Sequence, residues 1–441
     1  MAMNKQALLF ALFFLLYCFL RPPSCECTTT EEKYYIVGVN TFLIEEGRDL
    51  NAPTRSPSEA LAFQEVGSEG ADLLITHLNV ASNSSWRDVL TQGLQRDKHL
   101  VNRILTHNAR SSPLGTTAFS TPVTSGRELQ GPEYTVAVSI GTPALTQLMG
   151  IDTLTSLSWI QCNPYKDCSS NAKFPMDTNG LAQGSEGDYI TETLQVGDNT
   201  LNELHMGCAY CFTPRREYAT SGHLGLGRGP LSVVSQKAGG QFSYCLPNYS
   251  SVNAKGSLSL GKYSIPSSVK VFTPMQNEPQ FATSAYILGL EGISVGGQRL
   301  SVNMQVPGAL PTITYIDTAI MATQLVKPVY DALRSSFEEK MKTYAPAVQP
   351  ASPFGEFKPC YQLSNITSVK IPTVTLHFKG NANFDVPAVG TLLQVASDVV
   401  CFPFQQSPND AVTIIGNVQQ QGITVAYDNV NNRIGFGPGS C

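Results

Sequence analysis

The sequence predicts an all-β protein built from two related lobes. Charged residues make up only 14% of its 441 residues, and 36 glycines with 28 prolines provide the turns that many short strands require. One frame (an apolar strand, a glycine turn, a second apolar strand and Asp-Thr) occurs twice, over residues 136–153 and 293–318. Such a repeat indicates two lobes of similar construction, each of which contributes one aspartate.

The N-terminus predicts a secretory signal peptide over residues 1–27. Lys5 precedes an apolar block at residues 8–20, whose 13 residues match a signal h-region and are fewer than the about 20 that a membrane span needs. An N-terminal membrane anchor is the alternative interpretation. We expect a secreted protein that is free of the membrane once the signal is removed.

Residues 28–130 predict a propeptide followed by a linker. Apolar residues recur at helical spacing over residues 84–105, the polar side of this segment is basic, and the region contains no cysteine. The stretch 111–126, "SSPLGTTAFSTPVTSG", has the composition of a linker. An ordinary helical subdomain is the alternative.

Alternating patterns dominate from residue 133 onward and predict an N-terminal lobe at 131–285 and a C-terminal lobe at 286–441. Seven segments each predict a strand: "YTVAVSIG", "SLSWIQC", "ETLQVG", "QFSYCL", "GSLSLG", "TVTLHF" and "GITVAYD". One helix is predicted over residues 328–342, because Pro328 suits a first helical turn and apolar residues line one face.

The cysteines also indicate a secreted protein. Of eleven, three lie in or beside the signal, and an even number remains, which suggests disulfide bonds. These eight are Cys162, Cys168, Cys208, Cys211, Cys245, Cys360, Cys401 and Cys441. The C-x-x-C spacing at Cys208 lacks the second pair of a zinc set, so we expect no metal. Sequons at Asn83, Asn248 and Asn365 are candidate glycosylation sites.

Asp152 and Asp317 are the candidate catalytic residues. Each ends an apolar strand of the repeated frame, where an ionised carboxylate is costly. Two carboxylates within hydrogen-bond distance share one proton, so one can activate water while the other donates to a peptide carbonyl. A third Asp-Thr, at Asp177, has no leading apolar strand and is interpreted as a turn. Two buried structural acids are the alternative to a catalytic pair.

Five stretches between residues 133 and 441 form a recognisable series: "EYTVAVSIGTP", "IDTLTSLSWIQC", "SGHLGLGRGPLSVVSQ", "YIDTAIMATQL" and "IIGNVQQQGITVAYDNVNNRIGFGPGSC". In these stretches and their order, the sequence from residue 133 to 441 resembles the plant pepsin-like aspartic proteases of the nepenthesin-like group. The resemblance implies the bilobal pepsin-like fold, two β-barrel lobes with a cleft between them, and catalysis by Asp152 and Asp317. It also implies that the hydroxyls of Thr153 and Thr318 bond across to the opposite loop.

Both predicted active loops depart from the family motif Asp-Thr/Ser-Gly-Ser/Thr. The tetrads are Asp152-Thr153-Leu154-Thr155 and Asp317-Thr318-Ala319-Ile320. Glycine allows close backbone approach in such a loop, so we expect Leu154 to crowd the reacting water. Thr155 retains a hydroxyl that is expected to bond Asp152. Ile320 has none, which predicts that Asp317 is short of hydrogen-bond donors and protonated.

The resemblance extends to the flap and to the disulfide bonds. The position of the family's flap tyrosine falls on Asn179, followed by Gly180, and the loss of that ring weakens the exclusion of water. The resemblance implies the pairs Cys360–Cys401 and Cys245–Cys441. The remaining cysteines, which are Cys162, Cys168, Cys208 and Cys211, would then pair among themselves.

Two other motifs carry no predicted chemistry. "GISVG", which contains Ser294, matches the serine-hydrolase pattern, but a strand-like segment follows it where a nucleophile elbow requires a helix. "GLGRG" at residues 225–229 lacks the βαβ frame of a nucleotide site. The net charge of −5 includes no basic stripe, so no nucleic-acid partner is expected.

These observations predict a secreted aspartic endopeptidase that cleaves proteins at acidic pH with no cofactor. Its partners would be a protein or peptide substrate in the interlobe cleft and its own propeptide, and it would be a monomer. The apoplast is the expected location, with the vacuole or plastid as alternatives. Because of the altered loops, the alternative function is a catalytically silent homologue that binds protein or glycan.

Overall fold

The alternating sequence patterns form strands in a computed structural model of the chain. The structure describes residues 32–38, 119–125, 134–162, 185–197, 199–212, 220–249, 254–277, 284–306, 311–345, 347–348, 357–396, 398–439 and 441. Each of the seven segments predicted as strands contains one. The all-β, pepsin-like fold class is confirmed.

Eleven of the described strands precede residue 285. They are β1 (Tyr34–Gly38), β2 (Phe119–Ser125), β3 (Tyr134–Ile140), β4 (Leu145–Asp152), β5 (Trp159–Gln161), β6 (Ser185–Val196), β7 (Asn199–Phe212), β8 (Gly222–Gly225), β9 (Gln241–Cys245), β10 (Gly256–Leu260) and β11 (Val271–Pro274). One short helix, α1 (Val233–Lys237), lies among them.

The rest of the described chain holds sixteen strands, two α-helices and one 3-10 helix. The strands are β12 (Ile287–Leu288), β13 (Leu290–Val295), β14 (Gln298–Arg299), β15 (Ile313–Ile316), β16 (Thr323–Leu325), β17 (Ala347–Val348), β18 (Cys360–Gln362), β19 (Ser368–Pro372), β20 (Val374–Phe378), β21 (Ala382–Val386), β22 (Leu393–Ala396), β23 (Val399–Cys401), β24 (Phe404–Gln406), β25 (Val412–Ile415), β26 (Ile423–Asp428) and β27 (Arg433–Pro438). The helices are α2 (Lys327–Met341), α3 (Ala388–Thr391) and the 3-10 helix Asn417–Gln420.

A twelve-stranded sheet joins the two halves of the chain. Its order is β11-β27-β26-β9-β10-β2-β3-β4-β8-β5-β7-β6. Strands β26 and β27 come from the last residues of the chain, yet β26 pairs with β9 of the first half. The boundary predicted at residue 285 therefore separates the sequence repeats but does not divide this sheet.

The second half also builds smaller sheets. A five-stranded sheet has the order β12-β15-β25-β16-β24, and two four-stranded sheets have the orders β14-β13-β20-β21 and β17-β18-β23-β22. On the five-stranded sheet, buried apolar side chains form a group that we call the second-lobe cluster. Its members are Ala285, Ile287, Ile313, Tyr315, Ile320, Val412 and Ile414.

The sequence repeat is reproduced in the strand pairings around the two aspartates. In the first half, β8 pairs parallel with β4 and antiparallel with β5, which places Gly225 beside Asp152 and His223 beside Trp159. In the second half, β25 pairs in the same way with β15 and β16, and Ile414 is opposite Gln324. His223 and Ile414 therefore occupy equivalent positions.

The helix predicted at residues 328–342 is confirmed as α2. Pro328 lies in its first turn, where a missing N–H has no cost, and the predicted apolar face is buried. Burial of this face, through side chains such as Leu333 and Phe337, is what holds the helix against the sheets.

The region predicted as propeptide and linker needs a correction. Phe119–Ser125, within the predicted linker, is a strand that pairs with β3 and β10, because Thr121 and Val123 alternate inward although the composition is that of a linker. Tyr34–Gly38 is also a strand. The helical segment predicted at residues 84–105 lies outside the described residues.

Three disulfide bonds are present among the described residues. Cys245–Cys441 and Cys360–Cys401 confirm the pairs that the family resemblance implied. Cys162 bonds Cys208, as one of the pairings left open. The fourth pair that this leaves, Cys168 with Cys211, lies outside the described side chains. No helix within the described ranges is both long and apolar enough to cross a membrane.

Candidate active site

Asp152 is the last residue of β4 and is 6% exposed. Its Oδ1 accepts hydrogen bonds from the backbone N–H groups of Leu154 at 2.8 Å and Thr155 at 3.0 Å. The loop after β4 therefore turns its amides toward the carboxylate, although Leu154 replaces the family's glycine. Amide donors of this kind favour the ionised form of an acid.

Asp317 follows β15 and is fully buried. Its Oδ1 accepts from the N–H of Ala319 at 3.2 Å and from the hydroxyl of Thr153 at 3.1 Å. Thr153 belongs to the opposite loop and is the neighbour of Asp152. The other loop thus supplies to Oδ1 a hydroxyl in place of the one that Ile320 lacks, and the protonation predicted for Asp317 stays a prediction.

Thr153 and Thr318 join the two loops by reciprocal bonds. The N–H of Thr153 donates to Thr318 Oγ1 at 3.2 Å, and the N–H of Thr318 donates to Thr153 Oγ1 at 3.0 Å. The two hydroxyls then differ: Thr318 donates to the carbonyl of Ile151 at 2.8 Å, whereas Thr153 donates to the carboxylate of Asp317. The cross-loop contacts that the resemblance implied for both threonines are present.

His223 is a site residue to which the sequence interpretation gave no role. Its Nδ1 lies 3.5 Å from Asp152 Oδ2, and its ring stacks on Trp159 with the centroids 5.3 Å apart. Burial raises the pKa of Asp152, but the His223 contact and the two loop amides lower it further, so this pKa lies below its usual value. The internal repeat has Ile414 at the equivalent position.

The residues that replace the family motif pack together. Leu154 of the first loop lies against the second-lobe cluster, which includes Ile320 of the second loop. Ile320 is fully buried and Leu154 is partly buried, so each apolar side chain removes surface from water, which is favourable. The hydrogen bond predicted from the Thr155 hydroxyl to Asp152 is not formed. Thr155 donates to Asp152 through its backbone N–H instead, and the buried Oγ1 of Thr155 has no partner among the described residues.

Buried amides of the 3-10 helix support the second loop, and the sequence interpretation did not single them out. Gln420 donates from Nε2 to the carbonyl of Asp317 at 2.9 Å and accepts from the hydroxyl of Tyr244 on β9. Asn417 donates to the carbonyl of Thr318 at 2.8 Å. The run "GNVQQQG", which stands between apolar segments, could have indicated these residues, because side-chain amides that become buried need hydrogen-bond partners.

The other predicted positions lie away from this centre or outside the described residues. Asn179, Gly180 and Asn83 are outside them, as is Asp177. Asn365 is exposed, with a φ of 64°, and Asn248 is half-buried.

The strand-like segment predicted after "GISVG" is present as β14, which pairs with β13. Ser294 lies on β13, ahead of a turn at Gly296 and Gly297 with φ values of 57° and 81°. Its Oγ lies 2.7 Å from Nε2 of His377, whose Nδ1 lies 2.7 Å from Asn383 Oδ1. This chain runs across neighbouring strands of one sheet, and Ser294 is not on the strand-to-helix turn that exposes a nucleophile.

Comparisons with family models and sequences identify relatives along the whole chain. Two models match, described as "Xylanase inhibitor N-terminal" over residues 165–262 and "Xylanase inhibitor C-terminal" over residues 285–438. Aspartyl protease family protein 2 of Arabidopsis thaliana is 31% identical across 99% of both chains. Aspartic proteinase nepenthesin-1 of Nepenthes gracilis is 28% identical across 88% of this chain and 95% of its own.

Solved structures share the fold at low sequence identity. The crystal structure titled "edgp" matches 74% of this chain and 96% of its own with a TM-score of 0.59 and 16% identity. Basic 7S globulin from soybean matches 73% of this chain and 96% of its own with a TM-score of 0.54 and 19% identity.

Proposed function

Because the chain belongs to the plant family of pepsin-like aspartic proteases, we propose that it is an endopeptidase that hydrolyses proteins at acidic pH. The water that attacks the peptide bond would be activated between Asp152 and Asp317. One observation carries the proposal: the hydroxyl of Thr153, the neighbour of Asp152, donates directly to the carboxylate of Asp317. This bond ties the second acid to the loop of the first.

The environments of the two acids suggest their roles. The pKa of Asp152 lies below its usual value because the His223 contact and two loop amides outweigh the effect of burial. Asp152 is therefore the ionised member, which takes a proton from water, and Asp317 holds the shared proton and donates it to the peptide carbonyl oxygen. No metal or cofactor takes part in these steps.

The contact with His223 makes Asp152 a weaker general base in this mechanism. A carboxylate paired with histidine is a weaker base than an unpaired one, and general-base catalysis weakens as the pKa of the base falls. We therefore expect slower turnover than in an enzyme with an apolar residue at this position, such as the Ile414 of the second repeat.

The biological setting is also part of the proposal. We propose a monomeric extracellular protease that is made with a secretory signal and carries glycans at Asn248 and Asn365. Its propeptide would cover the cleft until it is removed. The even number of cysteines after the signal supports an oxidising compartment, the apoplast first and the vacuole or plastid as alternatives.

A catalytically silent, protein-binding homologue is the second candidate. The packing of Leu154 against the second-lobe cluster favours it, because a side chain stands where the family has glycine next to the reacting water. Both matching family models are described as xylanase inhibitor domains, which names an inhibitory function for related chains. In this case the cleft or a neighbouring surface would bind a protein or glycan without cleaving it.

The deciding experiment is a peptide-library and casein assay on residues 28–441 between pH 3 and 6, with and without pepstatin. We expect pepstatin-sensitive cleavage that is lost in Asp152→Asn and in Asp317→Asn. Asp177→Asn is the matched control, because its Asp-Thr lies outside the repeated frame, and it should retain activity. Folded protein that neither cleaves nor binds pepstatin would establish the silent homologue instead.

A further inference from the structure

A strand from the region ahead of both lobes completes the second lobe. β1 pairs antiparallel with β19 over five residue pairs, from Tyr34 opposite Pro372 to Gly38 opposite Ser368. Among the strands that the structure describes, β1 is the sole pairing partner of β19. Val369 and Ile371 of β19 are buried, so this strand belongs to the core and β1 covers its edge.

The ladder continues one residue beyond β1. The N–H of Thr373 donates to the carbonyl of Lys33 at 3.1 Å, and the N–H of Lys33 donates to the carbonyl of Gly296 at 2.9 Å. Gly296 lies in the turn between β13 and β14. The segment therefore bonds to two separate parts of the second lobe.

The side chains of β1 add specific contacts on both faces. Tyr35 and Val37 pack against the main core, and the hydroxyl of Tyr35 donates to the carbonyl of Val386 at 3.1 Å. On the other face, the ring of Tyr34 lies edge-on to Tyr344, and Lys370 Nζ lies 4.3 Å from the Tyr34 ring centroid. Burial raises the pKa of Tyr35 to about 12.

We propose that Lys33–Gly38 is a permanent strand of the second lobe, which stays bound at the edge of β19 when the chain between β1 and β2 is cut. Residues 28–161 contain no cysteine, so the retained fragment is held without a covalent bond. The processed protein is then a complex of two chains, in which this strand is the part of the predicted propeptide that is not removed. The site is a strand-addition site, whose occupant is an extended segment with aromatic and β-branched residues at alternate positions.

The register predicts which backbone groups hold the strand. Since the Thr373 N–H bonds Lys33, alternate residues Tyr35 and Val37 direct their N–H groups to β19, whereas the N–H of Ile36 points away. Pro372, which has no N–H, is opposite Tyr34 at a position that needs none. The side chain of Ile36 is 78% exposed.

The test uses residues 28–441 with an N-terminal epitope tag, an Asp152→Asn change that prevents self-cleavage, and a TEV protease site within residues 60–80. After cleavage, the tagged fragment should co-elute with the remaining chain in size-exclusion chromatography and separate only in denaturant. Val37→Pro should release most of the fragment, and Ile36→Pro, the matched control, should retain it. Release of the unsubstituted fragment from a remaining chain that is still folded by circular dichroism would overturn the proposal.

Hydrogen exchange provides a second measurement, which remains informative if Val37→Pro does not fold. Amides of Val369 and Ile371 should be protected to the same extent before and after TEV cleavage. Exchange that rises to the rate of an unpaired strand on cutting would show that the fragment leaves. The Asp152→Asn background separates this result from the question of peptidase activity.

Discussion

At the scale of single residues, Thr153 connects both candidate acids. Thr153→Val removes the acceptor of the Thr318 N–H and the donor to Asp317, so we expect the free energy of unfolding to fall by about 2–4 kcal/mol. Thr155→Val is the matched control and should change it by less than about 1 kcal/mol, because the Thr155 hydroxyl is buried without a partner among the described residues. Urea denaturation measures both. Equal losses would mean that the cross-loop bonds add no stability.

His223 predicts a pH dependence of stability. The folded pKa of Asp152 is below its ordinary value of 3.8, so its stabilising contribution is complete above pH 3.8 and is lost as the pH falls through the folded pKa. His223→Ile, which copies Ile414, removes the main partner that lowers this pKa. The melting temperatures of the variant and wild type should differ most at pH 5 and converge toward pH 2.5.

The control for this comparison is His205→Ile, since His205 is exposed and bonds Thr191 rather than an acid. It removes no contact with Asp152, so its melting-temperature difference should not follow the pattern expected for His223→Ile. A His223→Ile difference that stays constant from pH 5 to pH 2.5 would contradict the assigned contact.

At the scale of elements, the chain passes close to the segment after each active loop at one glycine, Gly225 at the end of β8 and Gly416 after β25. A Cβ at Gly225 would lie 2.3 Å from the carbonyl oxygen of Ser156, and one at Gly416 would lie 2.6 Å from that of Met321. Gly225→Ala and Gly416→Ala should each cost about 3 kcal/mol or more. Gly422→Ala meets nothing within 4 Å and should cost only about 1–2 kcal/mol for its φ of 71°. If thermal melts show the same loss of stability for all three variants, the close approaches at Gly225 and Gly416 do not matter more than the φ of Gly422.

The sequence predicted elements better than contacts between them. The repeated frame identified β4 and β15 with their aspartates, and alternation identified strands such as β3 and β26, because these signals are local. The contact between His223 and Asp152 depends on which strands pair, which periodicity does not encode. The pairing of β1 with β19 is more remote still, since Tyr35 and its opposite residue Ile371 are 336 residues apart. The alternation in β2 is a local signal, but the linker-like composition of the stretch that contains it concealed it.

At the scale of the whole molecule, the Cys245–Cys441 bond ties the chain end to the sheet shared by both halves. It closes a loop of 196 residues, whereas Cys162–Cys208 closes 46. In the chain-entropy description, removing the first should cost about 5 kcal/mol and removing the second about 4 kcal/mol. Paired Cys→Ser variants compared by guanidinium denaturation test this order. A larger loss for the shorter loop would indicate that native-state packing dominates.

Because Trp159 stacks on His223, its fluorescence is an intrinsic probe of the candidate active site. The chain has two tryptophans, and the other, Trp86, lies within the region predicted to be removed on maturation. Emission from processed protein would then come from one indole, whose ring lies against the imidazole beside Asp152. A cationic imidazole quenches indole fluorescence, so the emission would report the charge of the imidazole beside Asp152 without any label.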